Sequence, residues 1–341
     1  LISLLLILFQ NFIFTVSLQI FDLSSNTTTS FQEYFNIRIY SSFGELTIYV
    51  ITGLFIGLQK TKISSIVVGF FSITNIIFSL FFVLYFNMNV EGVAYGTLVA
   101  STVTTIIFLF YTFHYLRKIT SLEINVRDVF NIKKIQSIFN INFNIFIRTI
   151  LLTFSFLYFT YLGNSISEDV VAANTILLNL TMLSAFILDA YAFSTEGVVG
   201  YSIGAKDKKL LKSVIKNSFI LSAASSLIIC VIFLIGKNSF IEMMTDIPDI
   251  REISFAYSNW VVIIPFISSF CFQFDGIFVG ASQTKELRNA MIISVVIYVL
   301  SSFYLLANFG NTGLWISLSI FFVARAITLL MYVNRIFLRL S

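Results

Sequence analysis

Long apolar stretches separated by short polar segments make up most of this 341-residue chain. Ten of the stretches reach the length of about 20 residues that a helix needs to cross the hydrocarbon of a bilayer. Their apolar residues follow one another directly, as in 292–300, whereas the strands of a membrane barrel alternate apolar and polar residues. The pattern therefore predicts ten membrane-spanning helices: 1–21, 35–58, 63–86, 93–115, 142–162, 171–201, 214–235, 253–281, 290–308 and 313–336.

The composition excludes an ordinary soluble domain. Hydrophobic residues make up 57% of the chain and charged residues only 11%, and 40 residues are Phe. Because the bilayer interior offers no water, every backbone N–H and C=O group there must be bonded internally, as in a helix. We therefore predict an all-α integral membrane protein whose main partner is the lipid bilayer.

The basic residues predict the orientation of the chain. If the ten helices alternate in direction, 16 of the 21 Lys and Arg residues fall in loops on one side, whereas the opposite loops hold Lys237 and Arg251. Cytoplasmic loops are the ones enriched in Lys and Arg, so the chain is predicted to lie in a bacterial inner membrane, multi-pass, with a cytoplasmic C-terminus. The net charge of +4 reflects this asymmetry of the loops and does not indicate nucleic-acid binding.

An internal repeat relates the two parts of the chain. Residues 53–62, GLFIGLQKTK, align without a gap to residues 276–285, GIFVGASQTK, and five of the ten positions are identical. Gly92 and Gly313, near the starts of two later spans, are separated by a similar interval. The repeat pairs the first four spans with the last four and leaves the fifth and sixth without counterparts.

The unpaired spans predict a larger architecture. Their counterparts would lie ahead of Leu1, so we expect twelve helices in two six-helix lobes, arranged as parallel repeats with a substrate site between them. In the given sequence, 1–119 would be an incomplete N-terminal lobe, 120–141 a charged cytoplasmic linker and 142–341 the C-terminal lobe. We expect the protein to be a monomer.

Acidic residues inside predicted spans are the main candidates for chemistry, because a charge in hydrocarbon costs several kcal/mol and needs a partner or a wet cavity. Asp275 lies near the middle of the eighth span, and Asp189 and Glu196 lie on one face of the sixth. These acids could bind H⁺, Na⁺ or a cationic substrate. Burial favours the protonated acid and a nearby cation favours the carboxylate, so one positive ligand would exclude the other.

Structural roles are the alternative for each of these polar residues. Each of the three acids could instead form a buried ion pair, for instance with Arg148 or Arg325. Arg38 and Glu45 are seven residues apart and could share a helix face, or Arg38 could reach water at the end of its span. Asn174 and Asn179 are candidate ligands, but such residues are more often hydrogen-bonding groups between helices.

The sequence contains no signature of an enzyme. Walker sequences, His boxes, catalytic triads and Gly-rich phosphate loops are absent, and His114 is the only histidine. The two cysteines, Cys230 and Cys271, lie inside apolar spans and are expected to be free buried thiols. We predict no catalytic residue, no metal site and no cofactor other than a coupling ion.

Four segments resemble the DNA-damage-inducible protein F branch of the multidrug and toxin extrusion (MATE) family. They are DVVAANTILLN from Asp169, EGVVGYSIGAK from Glu196, FDGIFVGA from Phe274, and GLWISL from Gly313 with Arg325 after it. The likeness covers essentially the whole chain, as helices three to twelve of twelve. Two features depart from the family: a proline usual near 42–44 is not found, and the first helix, which carries an aspartate proposed for cation coupling, is absent.

The resemblance implies an antiporter that exports small organic, often cationic, compounds in exchange for H⁺ or Na⁺ by alternating access. A lipid or lipid-linked oligosaccharide flippase of the same superfamily would share the fold but prefer a more cationic cavity. A truncated fragment without transport activity is a further alternative.

Overall fold

A computed structural model describes residues 2–20, 25–119 and 132–338, and within these residues the chain is helical and contains no strand. A 3₁₀ turn, Ile39–Ser41, joins α3 to α4, and a turn of π-helix, Phe81–Tyr85, extends α5. The helices are α1 Ile2–Leu8, α2 Gln10–Ile20, α3 Ser25–Arg38, α4 Ser42–Gly57, α5 Thr61–Leu80, α6 Val90–Ile119, α7 Ile132–Asn164, α8 Glu168–Gly204, α9 Lys208–Met244, α10 Pro248–Tyr257, α11 Asn259–Gly280 and α12 Thr284–Leu338.

Eight helical stretches in the described part of the chain are long and apolar enough to cross a membrane. The last of them, α12, has more than twice the length of one span, and its helical geometry is broken at Gly310 (φ 54°, ψ −134°). Only glycine adopts this backbone conformation readily. The break falls between the predicted spans 290–308 and 313–336, so α12 supplies both of them.

The first predicted span, 1–21, differs from the expectation of one helix. Its described residues, 2–20, form α1 and α2, neither of which is long enough to cross a bilayer alone. Hydrogen bonds from the Phe9 amide to the Leu5 carbonyl and from the Ile13 amide to the Phe9 carbonyl, both 2.9 Å, carry the helical pattern across the junction. The apolar run is therefore helical, as predicted, but it is interrupted at Phe9.

The ends of α4 and α11 have the same geometry, as the internal repeat leads one to expect. Gln59 and Ser282, which are equivalent in the repeat, both adopt positive φ, 58° and 54°. In each case the next amide closes the helix, with Lys60 donating to Phe55 at 2.7 Å and Gln283 donating to Phe278 at 2.8 Å. Both helices thus stop with one residue in the left-handed region, a common helix ending.

The chain divides into two compact units, 1–125 and 126–341. In the first, α4, α5 and α6 pack around a small core that includes Ile48, Ile51 and Phe55. In the second, α11 packs against α8, α9 and α12 and is the most buried of the spans. Residues 120–131 of the predicted linker lie outside the described residues, and α7 begins at Ile132, ahead of the predicted span 142–162.

Close packing of α11 on α8 depends on two glycines one helical turn apart. A Cβ atom added to Gly276 would lie 2.3 Å from the Ala192 carbonyl oxygen, and one added to Gly280 would lie 2.4 Å from that of Glu196. Real atoms do not approach this closely, so only glycine allows the two backbones to meet. This contact fixes the position of the polar residues that both helices carry.

Candidate functional site

Three charged residues from three helices meet inside the 126–341 unit. One oxygen of Asp275 on α11, Oδ2, accepts hydrogen bonds from Nη2 of Arg148 on α7 and from Nη2 of Arg325 on α12. Asp275 is 7% exposed and Arg325 only 1%. Charges this deeply buried are tolerated when they are paired, so the ionic cluster of Arg148, Asp275 and Arg325 holds the three helices together.

Asp189 on α8 balances the charge of the ionic cluster. The cluster alone has two positive groups and one negative group, and Asp189 interacts electrostatically with all three of them. With Asp189 ionised, the four residues are neutral together. Within the described residues Asp189 has no ion pair and no side-chain hydrogen bond. Unlike the carboxylate of Asp275, its carboxylate is therefore available to pair with a ligand.

Asp189 also lines a cavity of about 270 Å³ within the same unit. The other lining residues are apolar, aromatic or hydroxyl-bearing, and Asp189 is the one charged residue among them. They come from α7, α8, α11 and α12: Leu152, Thr153, Phe156, Thr181, Met182, Ala185, Phe186, Ser268, Phe272 and Phe322.

The ionic cluster lies close to this cavity along three of its helices. On each of three helices a cluster residue lies about one turn from a lining residue: Arg148 from Leu152, Asp275 from Phe272, and Arg325 from Phe322. The guanidinium carbon of Arg325 lies 5.9 Å from the centre of the Phe272 ring. A ligand in the cavity would therefore contact Phe272 and Phe322, and the guanidinium of Arg325 lies near the Phe272 ring.

Asp275 forms the kind of buried ion pair that the sequence offered as an alternative for the acids. It pairs with both arginines named from the sequence rather than with one, and its other oxygen, Oδ1, is buried and has no hydrogen-bond partner among the residues that the structure describes. The sequence identified the three residues but could not show that they converge, because their separations of 127 and 50 residues carry no geometric information.

Asn174 has the structural role that the sequence left as its alternative. Its Nδ2 donates to Asn311 Oδ1 at 2.7 Å, and its Oδ1 accepts from Asn311 Nδ2 and from Trp315 Nε1, both at 3.0 Å. This buried network ties α8 to α12. Asn179, by contrast, lies on the exposed side of α8 and outside the cavity.

Glu196 lies two turns beyond Asp189 on α8 and is half-buried. Its backbone contacts Gly280 of α11, and its side chain is not among the residues that line the cavity. The structure therefore brings Asp189, and not Glu196, to the cavity.

Arg38 and Glu45 pair within the 1–125 unit. Arg38 Nη2 donates to Glu45 Oε2 at 3.1 Å, and the Ser41 hydroxyl donates to Glu45 Oε1 at 3.0 Å. The pair spans the 3₁₀ turn between α3 and α4. It lies in a different unit from the Asp189 cavity and stabilises the junction of the two helices.

Comparisons with known proteins support the resemblance stated from the sequence. Residues 145–304 match the family model MatE. Over 301 residues the chain is 28% identical to DNA damage-inducible protein F of Escherichia coli K12, covering 87% of this chain and 64% of that protein. The chain thus spans somewhat less than two thirds of the length of this curated relative.

Solved structures share the fold. An outward-facing multidrug resistance transporter of the MATE family matches with a TM-score of 0.89 and 17% identity, covering 99% of this chain and 77% of that one. The Vibrio cholerae MATE transporter VcmN in the bent form matches with a TM-score of 0.84 and 16% identity, covering 98% and 75%. At these identities the likeness establishes the fold, a helical membrane bundle.

Proposed function

We propose that this chain, which has the fold of the multidrug and toxin extrusion transporters and matches their family model, acts in the export of small organic cations in exchange for H⁺ or Na⁺. The observation that carries the proposal is the cavity of the 126–341 unit, where one carboxylate without an ion pair lies among apolar and aromatic side chains. Asp189 is assigned as the group that binds the cation.

The walls of the cavity suit an organic cation better than a hydrated inorganic one. Phe156, Phe186, Phe272 and Phe322 offer aromatic surface for an apolar ligand, and aromatic faces attract positive charge. Asp189 supplies the one full negative charge. A ligand of this class gains from burial of its apolar surface and from pairing of its charge at the same site.

Charge balance supports exchange of one cation for another. With Asp189 ionised, Asp189 and the ionic cluster are neutral together, and either protonation of Asp189 or binding of a monovalent cation beside it brings the total to +1. The protonated state and the cation-bound state therefore have the same buried charge. Because one carboxylate serves both ligands, each excludes the other, which is the requirement for antiport.

The Asp189→Asn variant tests this assignment. We expect it to bind tetraphenylphosphonium at least about ten-fold more weakly than the unmodified chain, because the amide keeps the size of the side chain but removes the charge. In the unmodified chain, a higher concentration of H⁺ or Na⁺ should weaken the binding of tetraphenylphosphonium. In the variant this competition should disappear. Equilibrium dialysis of the purified chain in detergent measures both effects.

Asp169→Asn is the matched control, since Asp169 lies on the same helix but is exposed in its first turn. It should bind the probe like the unmodified chain. Equal affinities of the Asp189 and Asp169 variants would contradict the assigned role of Asp189, and competition by both ions that persists in the Asp189 variant would place coupling elsewhere.

The predicted orientation, with the C-terminus in the cytoplasm, can be tested separately. A green fluorescent protein fused after Ser341 should fluoresce, because this reporter folds in the cytoplasm, and an alkaline phosphatase fused at the same point should be inactive. The opposite pair of results would reverse the assignment of the Lys- and Arg-rich loops to the cytoplasm.

A further inference from the structure

Three exposed lysines lie on one face of α9 in its first turns, and we call them the lysine stripe: Lys209, Lys212 and Lys216. They are separated by three and four residues, which is the spacing of neighbours on one side of a helix. Leu211 lies between them in sequence but is fully buried, in a core that it shares with residues of α11 and α12. The lysine stripe is therefore on the side of α9 that faces away from the rest of the 126–341 unit.

The charges of α9 indicate how deep the lysine stripe lies in the bilayer. Between Lys216 and Lys237 the helix has no charged residue. This interval is about 32 Å long, close to the thickness of about 30 Å of a hydrocarbon core. Lys216 thus marks one border of the hydrocarbon, and Lys212 and Lys209 lie about 6 and 10 Å further out, in the layer of the phospholipid headgroups.

The same face of α9 continues into the hydrocarbon as an apolar surface. Ile220 follows Lys216 after four residues, and Leu227 and Leu234 follow at intervals of seven, close to whole numbers of helical turns. These three apolar side chains are 55%, 53% and 59% exposed, so lipid acyl chains can lie against them. A phospholipid beside α9 would therefore have its chains against apolar residues and its phosphate at the level of the lysine stripe.

The positive charges of the lysine stripe are not paired within the protein. Among the described residues, no member of the stripe has an ion pair or a side-chain hydrogen bond. The acid nearest in sequence, Asp207, caps the helix by accepting from the Leu210 amide at 2.9 Å. By contrast, Arg335 in α12 pairs with Glu286 at 3.1 Å. Three unpaired ammonium groups at headgroup depth complement a negatively charged lipid headgroup.

We propose that the lysine stripe and the apolar surface below it form a binding site for an anionic phospholipid such as phosphatidylglycerol. The ammonium groups bind the phosphate of the headgroup, and the acyl chains lie against Ile220, Leu227 and Leu234. A zwitterionic lipid has the same phosphate but also a positive group that the lysines repel. A soluble phosphate ester has the charge but no chains.

Native mass spectrometry of the purified chain in detergent tests the proposal by counting bound lipids. The probes are dioleoyl phosphatidylglycerol and dioleoyl phosphatidylcholine, titrated separately. The unmodified chain should bind phosphatidylglycerol at least about ten-fold more tightly, since each lysine near anionic lipid contributes about five-fold in affinity. The preference should disappear in the stripe variant, which combines Lys209→Gln, Lys212→Gln and Lys216→Gln.

A control variant removes the same charge elsewhere. It combines Lys60→Gln, Lys62→Gln and Lys285→Gln, three exposed lysines in loops that the sequence predicts on the same side of the membrane. This variant should keep the preference of the unmodified chain. Both variants should unfold at the temperature of the unmodified chain, because the replaced lysines are exposed. Glycerol phosphate, which has the headgroup charge without acyl chains, should not displace the bound phosphatidylglycerol.

Three outcomes would overturn the proposal. Equal affinity of the unmodified chain for the two lipids would show that the lysine stripe does not recognise headgroup charge. Equal loss of the preference in the stripe and control variants would show that net charge, and not a site on α9, attracts the lipid. Displacement by glycerol phosphate would make the stripe a site for soluble anions. Cation binding at Asp189 is measured separately and is not decided by any of these results.

Discussion

Replacing Asp275 with Leu is expected to destabilise the 126–341 unit by about 3 to 5 kcal/mol, the cost of removing one partner of a buried ion pair. The reason is the sharing of one carboxylate by two arginines. Without it, Arg148 and Arg325 remain buried with like charges and no counterion in contact. Thermal unfolding of the purified chain in detergent, followed by intrinsic fluorescence, measures the loss.

A more exposed ion pair of the same unit provides the control. Glu286→Gln removes the partner of Arg335, which is 58% exposed, and should cost less than about 1 kcal/mol because water solvates the remaining charge. Adding Arg325→Met to Asp275→Leu should recover part of the lost stability, since it removes one of the stranded charges. Similar unfolding temperatures for Asp275→Leu and Glu286→Gln would show that the ionic cluster does not support the unit.

A single methyl group is expected to have opposite effects at two equivalent positions of the repeat. Gly276→Ala places Cβ 2.3 Å from the Ala192 carbonyl oxygen, so α8 and α11 must separate, at an expected cost of about 1 to 3 kcal/mol. Gly53→Ala meets nothing within 4 Å and removes the entropy penalty of a helical glycine, an expected gain of about 0.5 to 1 kcal/mol.

Hydrogen exchange by mass spectrometry measures each effect in its own unit. Gly276→Ala should speed exchange in peptides from α8 and α11, and Gly53→Ala should slow exchange in peptides from α4 or leave it unchanged. Destabilisation of equal size by both substitutions would mean that the close approach at Gly276 is not a special constraint.

Most of the fold follows from the sequence because the bilayer imposes a simple rule. Each uninterrupted apolar run has to become helical, and the break at Gly310 falls where two runs are separated by polar residues and glycines. The helix ends were less predictable. α7 begins at Ile132 and α8 ends at Gly204, beyond the predicted spans, because a helix continues into polar residues wherever no residue stops it.

The charged residues of the candidate site were predictable from the sequence, but the other lining residues and the arrangement were not. A buried charge is costly in any position, so Asp189, Asp275, Arg148 and Arg325 could be selected by residue type alone. Which acid pairs with arginine and which faces a cavity depends on the rotation of each helix about its axis. That rotation is set by contacts such as those of Gly276 and Gly280, which no periodicity within one helix reveals.

Hydrogen bonds and ion pairs connect the helices of the 126–341 unit at several positions along their length, and this limits how the helices can move. The hydrogen bonds of Asn174 with Asn311 and Trp315 join α8 to α12. The ionic cluster joins α7, α11 and α12. Near the end of α12, Gln283 Nε2 donates a hydrogen bond to the Arg335 carbonyl at 3.1 Å. Helices braced at several depths resist sliding and tilting against one another. The cavity should therefore keep its shape when the unit moves as a whole.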